Sequence, residues 1–140
     1  MEKEGNYIIK RGEGASQKCK VNNEKSRIYM YLKFEKQDDT LIIRLMGELD
    51  HHSAEEVRVK IDDRIDRDNI RKVILNFSGV TFMDSSGIGV VIGRYKKMKN
   101  RNGKLCVAEI NRTVNKVFEI SGIYKIIDVY GNIDEAIVNI

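Results

Sequence analysis

From residue 30 onward the apolar positions come in short runs and helical stripes separated by polar turns. Tyr31 to Glu35 reads as a strand, Asp38-Asp39 as a turn, and Thr40 to Met46 as a second strand. The pair predicts a hairpin, with Gly47 ending it. Ser53-Ala54-Glu55-Glu56 has the form of a capping box, in which the serine accepts from an amide three residues on and the glutamate reaches back. Ala54, Val57, Ile61 and Ile65 then recur at helical spacing, so a helix is expected to about Asp66. Lys72 to Phe77 is a compact apolar run suited to a strand covered on both faces. Ile88, Val91, Ile92 and Tyr95 mark a second helix to about Asn100, and Leu105 to Ala108 a further strand after the Asn102-Gly103 turn. Asn111 or Thr113 can cap a third helix with inner face Val114, Val117 and Phe118 and a stop at Gly122. Ile126 to Val129 reads as a last strand and Asp134 to Ile140 as a short amphipathic helix. The order is ββαβαβαβα. This predicts an α/β domain with a mixed, mostly parallel sheet that begins with an antiparallel hairpin.

The first 29 residues break this pattern. They are rich in Lys, Glu, Gly, Asn and Ser, and their one apolar patch is Tyr7-Ile8-Ile9. They predict a flexible extension before a single domain over residues 30–140, with Met30 an alternative start. Charge follows the same division. Residues 1–28 hold seven basic and four acidic side chains, a net +3, whereas residues 29–140 hold 18 and 17, a net +1. The overall +4 is therefore carried mainly by the extension, and no basic stripe with interleaved aromatics points to nucleic acid. A chain of 140 residues with 41% hydrophobic and 33% charged positions can bury a core without staples. No apolar run exceeds five residues, against the roughly 20 that a membrane span needs. With no signal-like h-region, the expectation is a cytoplasmic protein that does not insert in membranes. Cys19 and Cys106 stand far apart without a CxxC, so no metal site or disulfide framework is implied.

The segment with chemical content is Phe82-Met83-Asp84-Ser85-Ser86-Gly87-Ile88-Gly89. It joins a buried strand to an amphipathic helix, where ligands of open α/β sheets gather. Asp84, Ser85 and Ser86 are all N-cap residues, and a helix start offers free amides and a positive dipole end to an anion. Ser85 and Ser86 are thus suited to carry phosphate, which adds about −1.5 to −2 charge, with Asp84 adding repulsion toward an acidic partner. A plain cap accounts for the same residues. For Gly87, Gly89 and Gly93, close packing on the sheet accounts for the glycines, and a partner approaching the backbone is the sharper alternative. The segment lacks a Walker lysine and a GxSxG elbow. Asp50, His51, His52 and Ser85 could in principle form a hydrolytic set, though without an oxyanion signature. Asp84 itself could be phosphorylated as in a receiver domain, with Glu48 and Asp50 mimicking the acidic metal-binding pair, but no suitable lysine stands out after a later strand.

Gly47-Glu48-Leu49-Asp50-His51-His52-Ser53-Ala54-Glu55, the Phe82 to Lys96 stretch, and Ser121-Gly122-Ile123-Tyr124-Lys125-Ile126-Ile127 resemble the STAS-domain anti-sigma factor antagonists. The Leu-Asp-His-His and Gly-Arg-Tyr-Lys stretches narrow the resemblance to the sporulation branch. It covers residues 30–140 and leaves the extension outside. The resemblance implies a STAS fold and a protein that is not itself an enzyme and needs no cofactor. The unphosphorylated form would bind an anti-sigma factor that is also a serine kinase, with ATP or ADP on the kinase, and so release a sporulation sigma factor. The kinase would phosphorylate Ser85, and a membrane-associated serine phosphatase would reverse it. Asp84, Ser86 and Gly87 would support the phosphorylation turn, and Asp50, His51 and Ser53 would contact the partner. The alternative is a STAS module that senses a nucleotide or another small anion directly at the helix end.

Overall fold

The computed structural model describes residues 4–10 and 28–140. Its strands are β1 (Glu4–Lys10), β2 (Ile28–Gln37), β3 (Thr40–Leu49), β4 (Lys72–Met83), β5 (Lys104–Ala108) and β6 (Val129–Tyr130). Its helices are α1 (Ala54–Arg67), α2 (Ser85–Asn100), α3 (Arg112–Ser121) and α4 (Ile133–Asn139). Among the described residues the sheet runs β1-β2-β3-β4-β5-β6. β1, β2 and β3 form an antiparallel meander, and β3 through β6 are parallel. The expected α/β class and mixed sheet are therefore observed.

Alternation along the strands builds two cores. Leu41, Ile43, Val73, Leu75, Leu105 and Val107 face α1, α2 and α3, whose Val57, Ile61, Ile65, Val91, Val114 and Phe118 complete one buried cluster. Ile42, Ile74, Cys106 and Ala108 face the other way and are covered by Ala136 of α4. The central strands read as continuous apolar runs because both faces are covered.

Four elements depart from the sequence reading. β1 lies where no element is expected. Tyr7 and Ile9 point into the larger core, while Ile8 between them is 48% exposed, so an apolar outward residue hides the period of two. The Tyr7 ring meets Phe34 edge-on at 5.7 Å. Ile28 and Tyr29, the end of the expected extension, open β2, and residues 1–3 and 11–27 lie outside the described residues. Gly47 does not end β3, which runs on to Leu49. Gly47 has φ +118, and a Cβ there would come within 2.3 Å of the Tyr29 carbonyl oxygen, so glycine carries the strand through an irregularity in its pairing with β4. β4 likewise continues past Phe77 to Met83, which brings its end beside that of β3. The last strand is only Val129–Tyr130, because Ile123 and Ile127 enter the core at helical spacing, with the Ile127 amide donating to the Ile123 carbonyl at 3.0 Å.

Helix α2 is fixed sideways to α1 by Arg94 and Asp62, whose Nε and Oδ1 lie 2.8 Å apart. The geometry makes no hydrogen bond, so the attraction is coulombic. Burial lowers the Arg94 pKa, and the Asp62 charge works against that fall. Asn111 fixes α3: its Oδ1 accepts from the Val114 amide at 2.9 Å and its Nδ2 donates to the Val80 carbonyl at 2.7 Å. The start of α3 is thereby tied to the end of β4.

Candidate functional site

The adjacent ends of β3 and β4 deliver two loops to one place. Asp84 is extended and caps α2, its Oδ1 accepting from the Ser86 amide at 2.8 Å and its backbone carbonyl from the Gly87 amide at 2.9 Å. The Asp84 amide donates to the Leu49 carbonyl at 3.3 Å, and Oδ2 accepts from the His51 amide at 3.3 Å. One carboxylate therefore caps the helix and ties the Asp50–Ser53 loop to it. Of the candidate caps before α2, the structure selects Asp84.

Ser85, the first residue of α2, is exposed, and no hydrogen bond engages its hydroxyl among the described residues. Ser86 is half-buried and its amide is taken by Asp84. Gly87 is buried, and a Cβ there would lie 2.8 Å from both Cγ and Cε of Met83. Close packing thus accounts for Gly87. It does not account for Gly89 or Gly93, where an added Cβ meets nothing within 4 Å.

The second loop is organised by Asp50 rather than by a capping box at Ser53. Ser53 is fully buried, is helical in backbone conformation and makes no side-chain cap bond. Its hydroxyl donates to the Glu48 carbonyl at 2.8 Å and accepts from the Asp50 amide at 3.2 Å. Asp50, 7% exposed, accepts on Oδ1 from the amides of His52 at 2.9 Å and Ser53 at 3.3 Å, and its carbonyl accepts from Ala54 at 2.8 Å. The Asp50 side chain, three residues ahead of Ser53, reaches the orphan amides first, which leaves the serine free to hold the strand end. His51 stands at the surface with Nδ1 3.7 Å from Asp84 Oδ2. His52 stacks on the Tyr29 ring at 5.3 Å, with Nδ1 3.6 Å from Asp50 Oδ2.

This arrangement bears on each candidate chemistry. Both imidazoles face carboxylates, and no hydrogen bond joins either to Ser85 among the described residues. A free anion at the start of α2 would meet the Asp84 carboxylate, which already holds the Ser86 amide. Among the described residues no group of three or more His, Cys, Asp or Glu side chains could hold a metal ion. None of the described helices is long and apolar enough to cross a membrane.

One feature was missed in the sequence. An apolar cleft of about 320 Å³ opens beside Ser85 between α2 and α3, lined by Ser85, Ile88, Val117, Ile120 and Ser121. Ile120, 88% exposed, falls outside the inner stripe of Val114 and Phe118. That out-of-phase isoleucine is the signal that could have revealed it.

Comparison with known proteins agrees with the fold. The STAS domain model matches residues 31–136. An anti-sigma F factor antagonist of Paenibacillus polymyxa is 38% identical over 103 residues, spanning 74% of this chain and 88% of that protein. The solved structure of the anti-sigma factor antagonist SpoIIAA in its unphosphorylated form superposes with a TM-score of 0.67 at 37% identity, over 76% of this chain and 92% of that one. The phosphorylated form of SpoIIAA, a Bacillus cell fate determinant, gives 0.62 at 36% identity, over 77% and 97%. With this sheet order, this turn at the head of α2 and these relatives, the chain belongs to the STAS domain family, among its anti-sigma factor antagonists.

Proposed function

We propose that this antagonist is switched by phosphorylation of Ser85. Unphosphorylated, it binds an anti-sigma factor that is also a serine kinase and thereby frees a sporulation sigma factor. In the kinase complex the Ser85 hydroxyl oxygen bonds to the γ-phosphorus of ATP. The bond from that phosphorus to the bridging oxygen breaks, ADP departs, and the serine proton passes to the kinase. The modified protein no longer docks until a serine phosphatase hydrolyses the phosphoester.

The observation that carries this reading is the Ser85 side chain, exposed at the first position of α2 and engaged in no hydrogen bond among the described residues. A kinase reaches it without unfolding anything, and the phosphate adds a second negative charge beside the Asp84 carboxylate. Asp84, Ser86 and Gly87 hold the turn in place. The existence of a SpoIIAA structure in a phosphorylated form supports the same reading. His51 is the docking contact offered by the second loop, while the buried Asp50 and Ser53 act on docking by holding that loop in shape.

The test is incubation with the kinase and ATP followed by mass-spectrometric site mapping. Phosphate is expected on Ser85, and its absence from the whole turn 84–86 refutes the proposal. Ser85→Ala should bind the anti-sigma factor and stay unmodified, whereas Ser85→Asp should bind more weakly in a calorimetric titration.

A further inference from the structure

We infer that the cleft beside Ser85 is the seat for an apolar side chain of the anti-sigma factor, and that phosphate on Ser85 prevents docking by keeping this cleft hydrated. The inference rests on Ser85 being the phosphorylated residue, and it names how that modification is read.

A single exposed apolar residue on a protein surface needs no explanation. Here Ile88, Val117 and Ile120 line one concave site together with two serines, Ser85 and Ser121. Ile120 is 88% exposed although it sits on a helix whose other apolar residues pack inward. The outer face of α2 continues from Ser85 through Gly89 to Gly93 at one-turn spacing, and a Cβ at either glycine meets nothing within 4 Å. Glycine disfavours a helix interior, and nothing among the described residues requires it at those two positions. Bare helix backbone beside an apolar cleft suits a partner element that approaches closely.

The occupant follows from continuity. Ser85 both lines the wall of the cleft and is the proposed acceptor of phosphate. A charge placed there acts most directly on whatever covers that wall. The partner class required by an anti-sigma factor antagonist is an anti-sigma factor. When an apolar side chain fills the cleft, water leaves the serine wall. A neutral hydroxyl tolerates this, but a phosphoryl group of about −1.5 to −2 charge does not, because among the described residues no basic side chain lines the cleft to pair with it. This differs from repulsion at a distance, which added salt screens, whereas the loss of hydration at a buried charge is screened far less.

The test uses the purified anti-sigma factor, loaded with ADP, in calorimetric titrations. Ile120→Ala should weaken binding by about tenfold or more, with an unchanged thermal midpoint because the side chain is exposed. Val138→Ala, equally exposed at 82% but on α4 across the sheet, should bind as the parent does. Equal weakening by both variants would show that the wrong face has been chosen. The affinity difference between phosphorylated and unphosphorylated protein should stay the same from about 50 mM to about 500 mM salt. A difference that shrinks tenfold or more over that range means repulsion, and the hydration account fails. Parent-like binding by Ile120→Ala, with phosphate mapped to Ser85, removes the cleft and leaves the phosphorylation reading intact. Weakened binding by that variant, with no phosphate on Ser85, keeps the cleft and removes the phosphorylation reading.

Discussion

Replacing Asp84 with alanine removes two connections at once. The Oδ1 bond to the Ser86 amide at 2.8 Å is an N-cap, whose loss destabilises by about 0.5–2 kcal/mol. The Oδ2 bond to the His51 amide is longer, at 3.3 Å, and belongs at the weak end of the roughly 0.5–1.5 kcal/mol range for a hydrogen bond. The carboxylate also meets the positive end of the α2 dipole, worth about 0.3–1 kcal/mol, and its side chain is 33% exposed, which favours the lower values. The expected loss is about 2 kcal/mol. Asp84→Asn keeps a carbonyl oxygen for the cap but loses the charge and turns an amide donor toward the His51 N–H, so it should lose about half as much. Urea unfolding is the assay. The midpoint should fall with the slope unchanged, by about 1 M for alanine if the slope is near 2 kcal/mol per M. Amide exchange should quicken at Ser86 and His51 and stay the same in α3. A loss below about 0.5 kcal/mol for alanine, or an asparagine variant as unstable as the alanine one, would refute the double role of this carboxylate.

The glycines of α2 should separate by environment. Gly89→Ala and Gly93→Ala enter open space and should each stabilise by about 0.5–1 kcal/mol in thermal unfolding, while weakening anti-sigma factor binding if the bare backbone is a contact. Gly87→Ala drives a Cβ into Met83 and should destabilise by about 1 kcal/mol despite its better helix propensity. Burial, with a smaller contribution from the Asp128 charge, pushes the Cys106 thiol up to about 12, so at pH 8 mass-mapped labelling by iodoacetamide should reach Cys106 only in the unfolded protein.

The order of elements from residue 30 onward was legible in the sequence, because burial on one or two faces imposes a period that a single chain displays. The stop at Gly122 was legible for the same reason, and the caps were legible as short sets from which the structure takes Asp84 over Ser85 and Ser86, and Asn111 over Thr113. Three things required the fold. β1 is a strand because Tyr7 and Ile9 find Leu32 and Met30 on β2, partners 25 and 21 residues away that no local pattern names. Ser53 loses the capping role because Asp50 reaches the loop amides first and the Glu48 carbonyl takes the serine hydroxyl, a competition decided by three-dimensional proximity. The meeting of the Asp50 loop, the Asp84 turn and the Ile120 cleft is tertiary throughout. It depends on β3 and β4 running side by side to Leu49 and Met83, and on Asn111 fixing α3 against the end of β4. Periodicity records which face of an element is buried, but not which distant segment buries it, and the candidate site is assembled from such distant segments.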